Sequence, residues 1–143
     1  MSNSKSKSVT EQKLPIKNIE VGKFYLIHDG SKTGHPGLII WKNDEHNLYL
    51  VLKFGTTRNK DNVPFPYPIG VGIGQSYYYK RPFLAKRKNI RGKAFEDLRV
   101  NESDIRNILK KIDLNNPMCS TDITGRSLHS YLYYIKKSPP IGL

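Results

Sequence analysis

Residues 34–54 read GHPGLIIWKNDEHNLYLVLKF, two apolar runs joined by a polar segment. The runs Gly37 to Lys42 and Asn47 to Phe54 have the composition of mostly buried strands. Between them, the charged and amide residues from Lys42 to Asn47 are typical of a hairpin connection. The prediction is an antiparallel pair of strands, preceded by a tight turn from Gly34 to Gly37 that presents His35 at the mouth of the first strand.

Further strands are predicted on both sides of this hairpin. Phe24 to His28 precedes it, and Ser76 to Tyr79 and Pro82 to Lys86 follow it. The intervening stretch from Asn59 to Gly74 is rich in proline and then in alternating glycines, so we predict a long loop followed by a short or irregular strand. Its glycines lack the Lys-Ser/Thr pair and the following helix of a phosphate-binding loop.

Two helices are predicted after the strands. The first begins at Asn101, and the second begins at Ser127 and ends before Pro139. Each has apolar residues on one face: Ile105, Ile108, Leu109 and Ile112 in the first, and Leu128, Tyr131, Leu132 and Ile135 in the second. Many short strands followed by helices predict an α+β fold, a small and mostly antiparallel β-barrel with C-terminal helices.

The length of 143 residues fits one domain with extended ends. Residues 1–17 are rich in Ser and Lys without an aromatic residue, so we expect a disordered basic tail. Residues 18–112 are expected to form the barrel domain. Residues 113–143 are expected to be a C-terminal extension, a loop and a helix that pack on the barrel or on a second subunit.

The chain has 24 Lys and Arg residues against 12 Asp and Glu residues, a formal charge of +12. This excess favours a polyanionic partner, with nucleic acid ahead of an anionic membrane, and a solvated basic surface is the alternative. The single cysteine, Cys119, excludes an intramolecular disulfide, and no apolar run is long enough for a membrane helix. We expect a cytoplasmic protein without a membrane partner.

The densest positive segment runs from Lys80 to Lys93, with seven basic residues and no acidic one, directly after Tyr77-Tyr78-Tyr79. Rings next to cations suit single-stranded nucleic acid, where bases stack on aromatic side chains and phosphates meet Lys and Arg. A solvated charge run is the alternative. The residues predicted to bind RNA are Lys53, Tyr78, Lys80, Arg81, Lys86, Arg87, Lys88 and Arg91.

Three segments together resemble the MazF/PemK family of toxin ribonucleases. They are Gly22-Lys23-Phe24-Tyr25, then Gly34-His35-Pro36-Gly37-Leu38-Ile39-Ile40, and, after a variable hairpin, a strand that closes on Thr56. The resemblance continues through Phe83 to Ile90 and Leu98 to Ile112. It leaves residues 1–17 and 113–143 outside.

The resemblance implies an SH3-like barrel, a homodimer, cleavage of single-stranded RNA without a metal, and inhibition by a cognate antitoxin. In that family a basic residue before the proline of the second strand acts with a threonine at the end of the third. Here these positions correspond to His35, where the family commonly has arginine, and Thr56, with Thr57 as the alternative. Histidine exchanges protons near neutral pH and arginine does not, so this difference indicates either a shifted mechanism or a related fold with another function.

Metal-free cleavage of RNA needs a base for the 2′-hydroxyl, an acid for the departing 5′-oxygen and donors for the crowded phosphate. His35 is the predicted acid or base, since unperturbed histidine has a pKa of about 6.5. Thr56 or Thr57 would donate a hydrogen bond to the phosphate, and Arg58 or Lys53 would offset its charge. The expected products carry a 2′,3′-cyclic phosphate and a 5′-hydroxyl.

Plainer interpretations remain for these residues. A histidine before a proline is often an exposed loop residue, and threonines at the end of a strand are usually structural. The second functional hypothesis is a non-catalytic module of the same barrel class that binds nucleic acid or inhibits a protein target. The four histidines have no zinc-ligand spacing and no cysteine pair joins them, so neither metal nor cofactor is predicted.

Overall fold

The computed structural model of this chain describes residues 18–30, 34–66, 74–119 and 123–140. The basic tail predicted for residues 1–17 and most of the glycine-alternating run, residues 70–73, lie outside the described residues. The structural statements that follow refer to the described part of the chain.

Eight strands form one sheet, and all of their pairings but one are antiparallel. The path of hydrogen-bonded neighbours runs β4-β5-β3-β2-β1-β7, while β6 pairs with β3 and also, in parallel, with β8. The predicted α+β class and the mostly antiparallel sheet are therefore confirmed. The strands are β1 Phe24–Ile27, β2 His35–Asn43, β3 Leu48–Gly55, β4 Asn62–Pro64, β5 Tyr77–Tyr79, β6 Phe83–Ala85, β7 Ile90–Lys93 and β8 Met118–Cys119.

The strand β3 is the centre of the sheet because it pairs along both edges. One edge lies against β2, with Gly37 opposite Lys53. On the other edge, residues 49–51 pair with β6 and residues 54–55 pair with β5. The carboxyl end of β3 therefore lies between β2 and β5.

Among the described residues, the pairings leave the sheet open. The strands β4 and β7 stand at the two ends of the path and do not pair with each other. The sheet is not closed into a barrel by these hydrogen bonds.

Apolar side chains cover both faces of the sheet, because successive residues of a strand point to opposite faces. On one face, the helix-side core includes Phe24, Leu50 and Phe54 and continues into the two helices. On the other face, the second core consists of Ile19, Tyr25, Ile27, Ile39, Tyr49, Val51, Phe83, Ala85 and Ile90. Two separate cores imply a sheet with an interior on each side.

The two helices are α1 Glu102–Leu109 and α2 Gly125–Lys137. The side chain of Asn101 caps α1 by accepting a hydrogen bond from the Asp104 N–H at 2.8 Å, which confirms the predicted start. Helix α2 begins two residues before the predicted Ser127, because the hydroxyl of Thr124 is its N-cap. None of the described helices has the length and apolar character that crossing a bilayer would require.

Helix α2 is tied to the central hairpin. The indole Nε1 of Trp41 donates to the carbonyl of Ser138 at 2.6 Å, and the ring of Trp41 meets Tyr131 edge-on at 5.4 Å. The hydroxyl of Tyr131 donates to the carbonyl of Leu114 at 2.6 Å. The C-terminal segment is therefore part of the helix-side core.

Three local predictions are wrong. His35 does not lie in a tight turn but is the first residue of β2, paired with Ile27. The segment 62–64, predicted as loop, is an edge strand that ends at Pro64. An edge strand tolerates proline, which has no N–H, because only one of its two edges forms hydrogen bonds with a neighbouring strand. The two-residue strand β8 falls in the loop predicted after residue 112, and it gave no periodic signal because two residues cannot show alternation.

Candidate functional site

Three charged or titratable side chains meet where β1, β2 and β3 come together. The carboxylate Oδ2 of Asp29 accepts a hydrogen bond from Nδ1 of His35 at 2.9 Å and another from Nζ of Lys53 at 2.9 Å. We call these three residues the Asp29 cluster. It contains two of the residues predicted from sequence, His35 and Lys53, and one that sequence reasoning missed, Asp29.

The backbone places His35 and Asp29 at adjacent positions. His35 is paired with Ile27 across β1 and β2, and Asp29 comes two residues after Ile27. Gly34 takes a φ of +73°, and a Cβ on it would lie 2.7 Å from the carbonyl oxygen of Ile27. The chain can therefore make this entry into β2 only with glycine at position 34.

Gly37 is required for a different reason. A Cβ at this position would run into Cγ1 of Val51 and would lie 2.6 Å from Cγ1 of Ile27. The missing side chain lets β2 approach these two residues of the second core. Both glycines of the Gly-His-Pro-Gly segment thus fix the strand that carries His35.

Lys53 is unusual because its side chain is only 10% exposed. A buried ammonium needs a partner, and Asp29, whose side chain is 4% exposed, supplies the opposite charge. The Nζ atom also lies 5.6 Å from the ring centroid of Tyr79 and 5.3 Å from that of Phe83. Both rings add cation–π attraction and keep the ammonium away from bulk solvent.

The hydrogen bond from His35 determines which of its ring nitrogens can react. Because a carboxylate only accepts, Nδ1 must carry a proton, and in neutral imidazole Nε2 then keeps its lone pair. The side chain of His35 is 33% exposed, so the ring is within reach of a ligand. A buried carboxylate holding one nitrogen of a half-exposed histidine leaves the other as a proton acceptor.

The predicted hydroxyl and guanidinium groups lie at the end of β3. Thr56, Thr57 and Arg58 directly follow this strand and are exposed. The register of β2 with β3 begins at Gly37 opposite Lys53, and the threonines come three and four residues after Lys53. The carbonyl of Thr57 accepts a hydrogen bond from Nδ2 of Asn62 at 2.8 Å, which ties down the start of the following turn.

Among the residues predicted to bind RNA, the structure gives Arg81 a structural contact. Its guanidinium donates to the carbonyl and side-chain oxygens of Asn116 at 3.0 and 3.2 Å and to the carbonyl of Pro117 at 3.4 Å. These bonds hold the segment before β8. Lys80, one residue earlier, is exposed.

Four further cations predicted to bind RNA lie in or near the 3₁₀ turn Arg87–Asn89. The 3₁₀ turn Arg87–Asn89 contacts the residue before Asp29, since His28 N–H donates to the carbonyl of Asn89 at 2.7 Å. Lys86 precedes this turn, and Arg87 and Lys88 belong to it. Arg91 donates through Nε to the carbonyl of Lys88 at 3.1 Å. The turn thus contacts the segment that carries Asp29 through Asn89, while the guanidinium of Arg87 lies 3.5 Å from the hydroxyl of Tyr49.

The predicted stacking residue Tyr78 is buried, with 2% of its surface exposed, and burial raises the pKa of its hydroxyl. Its ring packs against Phe54 in the helix-side core, 6.0 Å between centroids. A ring in this place cannot stack on a base. The neighbours Tyr77 and Tyr79 point to the opposite face and are half-buried.

The described residues contain no group of three His, Cys, Asp or Glu side chains arranged to hold a metal ion. The side chains of the Asp29 cluster are of the types suited to proton transfer and to cation–anion contact. We compared the chain with protein-family models, with curated proteins and with solved structures, and none of the three comparisons found a match.

Proposed function

We propose that this chain is a MazF/PemK-like endoribonuclease that cuts single-stranded RNA without a metal ion. The observation that carries the proposal is the Asp29 cluster, in which a buried carboxylate orients a half-exposed histidine beside a buried lysine. A formal charge of +12 supports a polyanionic substrate.

In the proposed reaction, Nε2 of His35 takes the proton of a ribose 2′-hydroxyl while that oxygen attacks the adjacent phosphorus. The bond from phosphorus to the 5′-oxygen breaks, and the departing oxygen takes a proton from water. One fragment ends in a 2′,3′-cyclic phosphate, and the other begins with a 5′-hydroxyl. His35 then returns its proton to solvent.

The charges of the cluster suit this order of events. With neutral His35, the charges of Asp29 and Lys53 cancel. When His35 takes the proton, the cluster gains a positive charge at the moment when the phosphate gains a negative one. Thr56, Thr57 and Arg58 are proposed to donate hydrogen bonds to the phosphate oxygens, because they are exposed at the end of the same strand as Lys53.

The proposal includes the finer features that the family resemblance implies. The second core, in which side chains of five strands pack on one another, supports an SH3-like curled sheet. A homodimer, a cognate antitoxin and a cytoplasmic location belong to the same proposal, and light scattering of the purified protein tests the dimer.

The deciding experiment is incubation of the protein with a long single-stranded RNA in excess chelator, with mapping of the fragment ends. We expect discrete cuts with cyclic-phosphate ends. His35→Ala should lower the rate on the order of 10²- to 10⁴-fold, because it removes the proton acceptor. The matched control is His28→Ala, which removes an exposed histidine one residue from Asp29 and should leave the rate unchanged.

Other outcomes would contradict the proposal in different ways. If His35→Ala cut RNA at the parental rate, the assigned site would be wrong. If chelator abolished cleavage, the reaction would not be metal-free. Intact RNA together with binding that weakens steeply with salt would instead identify a non-catalytic nucleic-acid-binding module.

A further inference from the structure

The strand β5 carries two half-buried tyrosines on the face of the sheet that holds the Asp29 cluster. Tyr77 and Tyr79 alternate with buried Tyr78, so both rings lie on the opposite side from the helix-side core. On the neighbouring strand β3, Lys53 alternates with Phe54 in the same way and belongs to the same side. The two tyrosines therefore lie on the same face of the sheet as the site.

Tyr79 is held in place on three sides. Its ring lies 6.5 Å from the His35 ring at an interplanar angle of 67°, and Nζ of Lys53 lies 5.6 Å from its centroid. The ring also leans over Gly55, since a Cβ there would lie 3.6 Å from Cε1 and 3.7 Å from the hydroxyl of Tyr79. Position 55 thus provides a side-chain-free surface on which the ring rests.

We propose that Tyr79 is a stacking platform for a nucleobase next to the phosphate bound at His35, and that it favours unpaired over paired nucleic acid. The inference rests on the proposed function, since it takes single-stranded RNA as the ligand. A fixed, partly exposed ring loses little conformational entropy when a base stacks on it. Every base has a π-face, so the platform selects for single strands more than for sequence.

Stacking requires a base whose face is free. In a duplex the faces of each base are covered by its neighbours, and a ring at the surface cannot replace them without unstacking the helix. Contacts from Lys and Arg to phosphates carry no such preference. A difference in affinity between single and double strands therefore isolates the contribution of Tyr79 from that of the basic residues.

The test measures affinity for a fluorescein-labelled 2′-O-methyl RNA of mixed sequence, which has no free 2′-hydroxyl and cannot be cut by the proposed reaction. Tyr79→Leu should weaken binding of the single strand about tenfold. The salt dependence and the affinity for the matching duplex should remain parental. Tyr79→Phe keeps the ring and should bind as the parent does.

The matched control is Tyr133→Leu, which removes a tyrosine that is 52% exposed on helix α2, on the other face of the sheet. It should leave binding unchanged. The urea unfolding midpoint of each variant shows whether the fold is intact.

Parental single-strand binding by Tyr79→Leu would overturn the inference, as would an equal loss for single strand and duplex. A loss in Tyr79→Phe as large as in Tyr79→Leu would assign the contact to the hydroxyl and would also overturn it. The two proposals fail separately. If RNA stays intact but Tyr79→Leu loses single-strand affinity, the stacking inference holds and the nuclease proposal fails. If cleavage depends on His35 but Tyr79→Leu binds as the parent does, the nuclease proposal holds and the stacking inference fails.

Discussion

One oxygen atom, Oδ2 of Asp29, accepts hydrogen bonds from both His35 and Lys53. It therefore does two things for the site. It compensates the charge of a lysine that is almost out of solvent, and it fixes the proton on Nδ1 of His35. Removing its charge should disturb the stability of the fold and the reactivity of the histidine together.

Asp29→Asn keeps the size of the side chain and removes that charge. We expect it to lower the free energy of unfolding by about 3 kcal/mol, since Lys53 is left buried without a counter-charge. In the proposed reaction, cleavage should fall by 10²-fold or more, because an amide can present its N–H to the ring and favour the wrong tautomer of histidine. Urea denaturation and the RNA assay measure the two effects.

Two variants separate these effects. Asp29→Asn combined with Lys53→Met should regain stability, because the uncompensated charge is gone. It should not regain cleavage in the proposed reaction, because the ring of His35 still lacks the carboxylate that keeps the proton on Nδ1. Glu20→Gln breaks the exposed pair with Arg99 and should change stability by less than about 1 kcal/mol. If Glu20→Gln and Asp29→Asn lowered the free energy of unfolding by similar amounts, the burial of Lys53 would not be the cause of the loss of stability in Asp29→Asn.

Of the residues of the candidate site, sequence reasoning named His35 and Lys53 but not Asp29 or Tyr79. The strand and the hairpin around His35 have strong apolar patterns, and these drew attention to it. Asp29 could be found only by pairing the end of β1 with the start of β2, because its role depends on that register. The alternation in Tyr77-Tyr78-Tyr79 does not show which of these residues face the core. The packing of Tyr78 on Phe54 in the structure shows that Tyr78 does.

At the scale of the elements, the approach of β2 to its two neighbours decides where His35 stands. Gly37 lies between Ile27 of β1 and Val51 of β3, and it is the lack of a side chain that lets the three strands meet. The apolar pattern predicted these strands well. It could not predict the close approach, because the alternation of apolar and polar residues along a strand carries no information on the distance between neighbouring strands.

Gly37→Ala should lower the free energy of unfolding by about 1 to 3 kcal/mol, since its Cβ would overlap Cγ1 of Val51 and crowd Ile27. The matched control is Gly125→Ala at the start of α2, where a Cβ meets open space and alanine has the better helix propensity. Unfolding midpoints in urea measure both. If Gly37→Ala were as stable as Gly125→Ala, the close approach of the three strands at Gly37 would not limit the size of the side chain at this position.

Over the whole molecule, burial raises the pKa of four tyrosines: Tyr25, Tyr49, Tyr78 and Tyr131. For Tyr49, burial and then the hydrogen bond to Asp44 raise the pKa from its ordinary 10.0 to about 12. The unfolded chain ionises first as the pH rises, so the folded state binds more protons in this range. Its stability is fully present below pH 10 and is lost as the pH rises towards 12.

Tyr49→Phe should therefore make the loss of stability between pH 10 and pH 12 less steep. At neutral pH it should cost about 1 kcal/mol, because the hydrogen bond to Asp44 is gone. Unfolding midpoints recorded at several alkaline pH values give the slope. Tyr133→Phe, at an exposed position, should not change this slope. Equal slopes for Tyr49→Phe and the parent would contradict the role of Tyr49 in the loss of stability at alkaline pH.

The bond between Trp41 and Ser138 joins residues 97 positions apart, and it lies on the face opposite to the Asp29 cluster. A ribosome delivers residues 18–93, with all three groups of the cluster, well before it delivers helix α2. During that interval the nascent chain has its reactive groups but lacks the helix that covers Trp41. The three groups of the Asp29 cluster are thus synthesised before the helix that completes the helix-side core, and the apolar face around Trp41 is exposed in the interval.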